Sequence, residues 1–142
     1  MDDSPRHSVS VAAVVVDNHD RALLIRRRDN GHWEPPGGIL ELGEDIIEGL
    51  RREVAEETGL QVEPSALTGV YKNMARGIVA LVFRCRQAGG QASTANETAE
   101  VHWATRKEAI DLADPAYAVR ILDALDSATP PAVRAHDGVR LV

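Results

Sequence analysis

The chain lacks the cysteines of a disulfide framework, the basic excess of a nucleic-acid binder, and any apolar run long enough to span a membrane. One residue of 142 is cysteine, so no bridge can form within a single chain. Cys85 ends the apolar run Gly77-Ile-Val-Ala-Leu-Val-Phe-Arg-Cys and reads as a small buried hydrophobe, not a nucleophile. Lys and Arg number 16 against 22 Asp and Glu, for a net charge of -6, which argues against stable nucleic-acid binding. A partner of opposite sign, such as a metal cation, fits that balance better. The stretch Met1-Asp-Asp-Ser-Pro-Arg-His-Ser has no apolar core of a signal peptide, and no window approaches a membrane span. The expectation is a soluble cytoplasmic protein that does not engage membranes. Internal repeats and low-complexity segments are absent as well.

What remains is a chain of the length of one core, with 44% hydrophobic residues to fill it, expected to form a single domain over residues 1–142. Val9 to Val16 is apolar and β-branched, and the turn residues Asp17-Asn18-His19-Asp20 lead to Ala22-Leu-Leu-Ile25, expected as the return strand of a hairpin. Strand-like runs recur near Gln61 to Tyr71, Ile78 to Cys85 and Val101 to Ala104, while Arg106 to Leu112 and Ala116 to Leu125 carry helical spacing. The tail from Ser127, with Pro130-Pro131, reads as irregular, and Gly138 to Val142 as a short edge strand or a frayed end. A mixed sheet covered by helices is the natural α/β architecture.

The middle helix is the informative one. Glu44-Asp45 suits the positive N-terminal end, and Gly59, just after Thr58, supplies a left-handed terminating residue, with Leu60 folding back on Val54 or Ala55. At about 100° per residue, Ile46, Leu50 and Val54 share the face that packs on the sheet. Glu53 and Glu57 fall on that same side, with Glu56 at its edge. Each like-charged pair at this spacing costs roughly 0.2–0.5 kcal/mol even when exposed. The C-terminal end of the dipole and burial both add to that cost. A solvated acidic face accounts for Glu48 and Arg51, but not for Glu53 and Glu57. Arg52 reaches Glu56 one turn on without neutralising the set. A hard divalent cation with oxygen ligands, such as Mg2+, can do so.

Upstream, Trp33-Glu-Pro-Pro-Gly-Gly38 joins a rigid proline pair to two glycines that let main chain approach a neighbour closely. The pieces combine into one gapped pattern: Gly38, five residues, Glu44, seven residues, then Arg52-Glu53-Val54-Ala55-Glu56-Glu57-Thr58-Gly59-Leu60. This pattern, Gly38 to Leu60, resembles the Nudix box with every defining position filled, and Gly37-Gly38-Ile-Leu-Glu41-Leu-Gly43-Glu44 resembles its usual opening. The order of strands and helices on either side is similar to that of the whole Nudix domain.

The resemblance implies a mixed β-sheet sandwiched between α-helices and a hydrolase, dependent on Mg2+ or Mn2+, that cleaves a nucleoside diphosphate linked to another group. By the same resemblance, Glu53, Glu56 and Glu57 bind metal, Arg52 orients one of them, the carbonyl of Gly37 is a main-chain ligand, and Glu44 is an outer anchor. Glu53, or an acid from a later loop, acts as general base. Glu97 is the chosen acid of that loop, ahead of Glu100, and His102 reads as a strand surface residue. Arg26, Arg27 and Arg28 are candidates for one phosphate contact, with Arg26 and Arg28 sharing a face, and Trp33 or Tyr71 candidates to stack on a base, against the plainer readings of strand-end charge and core packing. Gly49 and Leu50 stand where the family commonly has small alanines. The proline and tyrosine that mark ADP-ribose and dinucleoside polyphosphate hydrolases downstream of the box are missing, which leaves a MutT-like nucleoside triphosphate or oxidised-nucleotide pyrophosphohydrolase. An ADP-ribose or nucleotide-sugar pyrophosphatase is the alternative, and a non-hydrolytic nucleotide sensor the alternative of another class. The expected partner is a small-molecule nucleotide, and the expected state a monomer or homodimer.

Overall fold

The structure, a computed structural model, describes residues 2–126 and 130–142. Eight strands and three helices follow in the order β1 (Ser8–Val15), β2 (Ala22–Arg27), β3 (Trp33–Glu34), β4 (Gly37–Ile39), α1 (Ile46–Thr58), β5 (Gln61–Asn73), β6 (Ile78–Gly89), β7 (Thr98–Ala104), α2 (Arg106–Leu112), α3 (Pro115–Asp126) and β8 (Ala132–His136). Five strands form a mixed sheet in the order β4-β1-β6-β5-β8, with β1 parallel to β6 and β8 parallel to β5. A second, antiparallel sheet runs β3-β2-β7. Among the described residues no helix is long and apolar enough to cross a membrane.

The continuous apolar run of β1 has a structural reason: both of its faces are buried. Val11, Ala13 and Val15 join Leu23, Leu50, Val54 and Leu60 in a core on the α1 side. Ala12 and Val14 join Leu24, Tyr71, Val82, Ile121 and Ala124 in a core on the α3 side. A strand buried on both faces reads as unbroken hydrophobicity instead of alternation. Each fully buried Val or Leu contributes about 1.5–3 kcal/mol, so this strand ties the two cores into one body.

The expected hairpin of β1 and β2 does not form. Both edges of β1 are taken by β4 and β6, so after the turn at Asp17 the chain leaves for the second sheet, and one bridge, Val16 to Ala22, joins the two strands. The sequence also concealed β8, which extends the mixed sheet alongside β5, whereas residues 138–142 make one isolated bridge, His136 to Leu141. Residues 127–129 of the expected irregular tail lie outside the described residues.

Helix α1 begins and ends where its capping chemistry dictates. Asp45 is the N-cap, accepting from the backbone N–H of Glu48 at 2.8 Å, and Gly59 terminates the helix at φ 77°. Leu50 and Val54 are fully buried, and Leu60 packs in the same core. Ile46, expected on the packing face, is 40% exposed because it is the first helical residue and lies short of the sheet. Gly49 answers for its poor helix propensity by proximity: a Cβ there would collide with Cδ1 of Leu40 and lie 2.9 Å from Oε1 of Glu44.

That proximity makes a prediction with an unusual sign. In an exposed helix Gly→Ala stabilises by up to about 1 kcal/mol, but overpacking costs about 1–3 kcal/mol. Gly49→Ala is expected to lower stability by roughly 1 kcal/mol net, measured by denaturant unfolding. A more stable variant would show that the contact relaxes freely.

Candidate active site

The acidic face of α1 is organised by one guanidinium. Arg52 grips Glu44 with two hydrogen bonds, Nε to Oε2 at 2.8 Å and Nη2 to Oε1 at 2.6 Å, and extends Nη1 to Glu53 at 3.0 Å and to Glu56 at 3.3 Å. The Glu44 carboxylate also accepts from the N–H of Glu41 at 2.9 Å, and with Arg52 this lowers its pKa to about 2. Glu44 is therefore a permanent anion that fixes Arg52, and Arg52 in turn fixes Glu53.

The preceding glycines are there for close approach, since neither has a positive φ. A Cβ on Gly37 would collide with the carbonyl of Val11 and lie 2.7 Å from Cα of Ala12, because β4 presses against β1. A Cβ on Gly38 would sit 2.5 Å from the carboxyl carbon of Glu53. Only at a glycine can the main chain lie flat beneath that carboxylate. The N–H of Gly37 donates to Glu57 at 3.2 Å.

Glu57 is the least satisfied acid of the three. Burial pushes its pKa up to about 8, and Glu53 and Glu34 add repulsion that the Gly37 N–H only partly offsets. Burial raises the pKa of Glu53 as well, against the opposing pull of Arg52. Among the described residues no three acidic, His or Cys side chains already stand as a closed metal-binding set. The donors nonetheless suit a hard divalent cation, because Mg2+ takes one or two carboxylates and completes its shell with water and phosphate oxygens. Two carboxylates, Glu53 and Glu57, whose pKa values burial raises, standing beside a glycine cradle, meet that description.

These carboxylates form one end of a cleft of about 780 Å³. Its floor crosses the mixed sheet strand by strand: Gly37 and Gly38 on β4, Val11 and Ala12 on β1, Ile78 on β6, Asn73 on β5 and His136 on β8. Tyr117 and Arg120 of α3 wall the far end. Glu97 joins the near end, facing Glu53, Glu56 and Glu57 across a shared hollow.

The structure brings together the expected carboxylates Glu53, Glu56, Glu57 and Glu97 with Gly37, but not all the expected substrate contacts. Arg26 pairs with Glu100 at 2.8 Å away from the cleft, because Glu100 is its cross-strand partner on β7. Trp33 packs on the core edge-on to His102, 6.4 Å between ring centroids, and is not in the cleft wall. Arg28 lines the cleft, yet its guanidinium donates to the carbonyls of Ala95, Asn96 and Thr98 and so holds the Glu97 loop in place. Tyr71 is buried and donates to Asp123 at 2.6 Å, a core role. His102 bonds Glu108 at the start of α2. Arg27, the third arginine of the run with Arg26 and Arg28, lines the cleft; sequence reading missed Glu34 and the far-end residues. One signal for them was legible, an arginine at position 120 on the apolar face of a helix.

The model of the NUDIX domain matches residues 6–125. The chain belongs to the Nudix family. A MutT-like protein of Streptomyces ambofaciens is 56% identical over 138 residues, covering 97% of this chain and 89% of that protein. Human 8-oxo-dGDP phosphatase NUDT18 is 41% identical over 90 residues, 61% of this chain but 28% of that longer protein. The crystal structure of the MutT protein from Methanosarcina mazei Go1 superposes with a TM-score of 0.72 at 27% identity, covering 85% of this Nudix chain and 94% of the other.

The raised pKa of Glu57 carries a sign. The folded value, about 8, lies above the ordinary glutamate value of 4.5, so the folded Nudix domain holds an extra proton between them and its stability falls as pH rises through that window. With chelator present, the melting temperature is expected to fall from about pH 5 to about pH 8, and Glu57→Gln to flatten that slope. An unchanged slope in Glu57→Gln would assign the titration to another group.

Proposed function

We propose that this Nudix protein is a Mg2+-dependent pyrophosphohydrolase of the MutT type, cleaving the diphosphate linkage of a nucleoside triphosphate or an oxidised nucleotide. Mn2+ is an acceptable substitute for the same oxygen ligands. The observation that carries the reading is the convergence of the α1 carboxylates and Glu97 at one end of a cleft of about 780 Å³, room enough for a nucleotide. The names of the relatives, a MutT-like protein along nearly the whole chain and an oxidised-nucleotide phosphatase over part of it, point the same way.

In this reading Glu53, Glu56 and Glu57 hold the metal, with the carbonyl of Gly37 and Glu97 completing its surroundings. A divalent cation bound there supplies neutralisation of phosphate charge and activation of the attacking water. The protein's own contribution is positional. Arg52 keeps Glu53 fixed over Gly38, so that this carboxylate can accept the proton of a water aimed at phosphorus. Arg27 and Arg28 present positive charge along the cleft wall, although Arg27 also pairs with Asp29 at 2.8 Å. Arg28 also anchors the backbone of Glu97, Arg28 N–H to Glu97 carbonyl at 2.9 Å, so the loop acid is held to the end of β2.

Hydrolysis should be measured with Mg2+ on nucleoside triphosphates, oxidised nucleotides, nucleotide sugars and ADP-ribose, by release of phosphate or pyrophosphate. Glu53→Gln and Glu56→Gln are expected to lose about two to four orders of magnitude in kcat while retaining the folded circular dichroism spectrum. Full activity in both variants would displace the site from α1. Binding of nucleotides without turnover in the wild type would favour a sensing domain instead.

A further inference from the structure

The far end of the cleft holds a cation that no described carboxylate touches, although Glu34 in the same cleft attracts it from beyond ion-pair distance. Arg120 is 7% exposed, makes no ion pair among the described residues, and its Nε has no hydrogen-bond partner. The carboxylate nearest in sequence on its helix, Asp123, is already spent: Arg134 grips it at 2.8 and 2.7 Å and the Tyr71 hydroxyl donates to it at 2.6 Å. The guanidinium faces are covered by the rings of Tyr117 and Tyr71, whose centroids lie 4.7 and 5.2 Å away. Only the in-plane N–H edge is left to serve anything.

Among the described residues, the one side-chain contact to that edge does not satisfy it. Nε2 of His136 lies 3.4 Å from Nη2 of Arg120. The Nδ1 of the same ring accepts from the backbone N–H of Gly138 at 3.0 Å. Burial and the adjacent guanidinium lower the pKa of His136, so the ring is neutral and its single proton must sit on Nε2. Two donors therefore face each other. Asn73, on the neighbouring strand, spends its Oδ1 on the N–H groups of Ala75 and Arg76 at 3.1 and 3.2 Å, which leaves its amide nitrogen as a further donor on the cleft floor. A buried arginine edge, which the Glu34 carboxylate attracts but makes no hydrogen bond to, a protonated ring nitrogen and an amide define a place for acceptor atoms brought by a ligand.

We propose that Arg120 is the specificity-determining residue of the cleft, donating to the carbonyl edge of a guanine-type base. The assignment rests on the nucleotide reading above. The acid end of the cleft is at β4 and the donor end at β5 and β8, so a substrate with its diphosphate at the carboxylates reaches Arg120 with the part remote from the bond that is cleaved. Guanine presents O6 and N7 as acceptors to a bidentate arginine, and an oxidised guanine keeps O6 and adds O8. Adenine presents an amino donor at the corresponding position, which would face donors. A neutral carbonyl edge also enters this closed end without bringing a second charge to be desolvated.

The test compares kcat/KM for dGTP and dATP in the wild type, Arg120→Met and Arg120→Lys, with melting temperatures and with calorimetric titration by GDP and ADP. The wild type is expected to favour guanine in both readouts. Arg120→Met is expected to lose roughly ten- to a hundredfold for dGTP, mostly through KM, to stay within about twofold for dATP, and to melt no lower than the wild type. Burial opposes the charge of Arg120 more than Glu34 and the two rings favour it, so methionine, which keeps the apolar packing, does not lower the melting temperature. Should Arg120→Met fail to fold, Arg120→Lys, which keeps the charge and loses the fork, is expected to lose the same discrimination. Equal losses for both bases would assign Arg120 to sugar or phosphate and overturn the proposal, as would unchanged discrimination or a lowered melting temperature accompanied by loss on both. If the wild type hydrolyses neither nucleotide, the pyrophosphohydrolase reading fails, and the GDP and ADP titrations still decide Arg120. Equal binding of the two, or none, overturns it.

Discussion

The grip of Arg52 on Glu44 is the interaction from which the acidic site follows. Because both of its hydrogen bonds on that side go to a carboxylate held near a pKa of 2, the guanidinium is anchored from outside the site, and its remaining Nη1 can be spent on Glu53 and Glu56. An arginine tethered only to the site's own acids would move whenever a ligand moved them. The absent side chain at Gly49 belongs to the same arrangement, since Glu44 occupies the space a Cβ would take. Glu57 lies beyond this reach. It rests on a backbone N–H instead, and so it is the acid that gains most from an added cation.

The site stands on a body whose two cores meet in one strand. Val11, Ala13 and Val15 carry α1 and its carboxylates, while Ala12 and Val14 carry the side on which α3 lies. Residues of β1 thus support both ends of the cleft, and β4, clamped against β1 by the closeness of Gly37 to Ala12, sets the level of the glycine cradle. Packing density permits little independent motion of two ends built on the same strand.

Much of the acidic end was legible in the sequence because its chemistry is local. Caps at Asp45 and Gly59, the period of Leu50 and Val54, and the spacing of the glutamates are all properties of one helix, and α1 carries them as expected. The failures have a common cause in pairing between distant segments. Nothing in Val9 to Val16 says that both strand edges will be claimed by β4 and β6, so the hairpin was the natural expectation. A short strand after two prolines carries almost no pattern, so β8 was hidden. Arg26 and Arg28 share a face only in a regular strand, and the bulge at Arg26 removes that premise. The far end of the cleft was invisible as a site because Asn73, Arg120 and His136 come from three elements. Arg120 among apolar positions was nonetheless a visible irregularity.

The cleft floor has a further property because it crosses hydrogen-bonded strands from β4 through β1, β6 and β5 to β8. Neighbouring strands are held about 4.8 Å apart by their backbone hydrogen bonds. Four such steps set the axes of β4 and β8 about 19 Å apart. The sheet is therefore a ruler with fixed graduations. A molecule that engages both ends must match the separation those strands impose on the groups above them, whatever the chemistry of its termini, a selection no single side-chain substitution easily undoes.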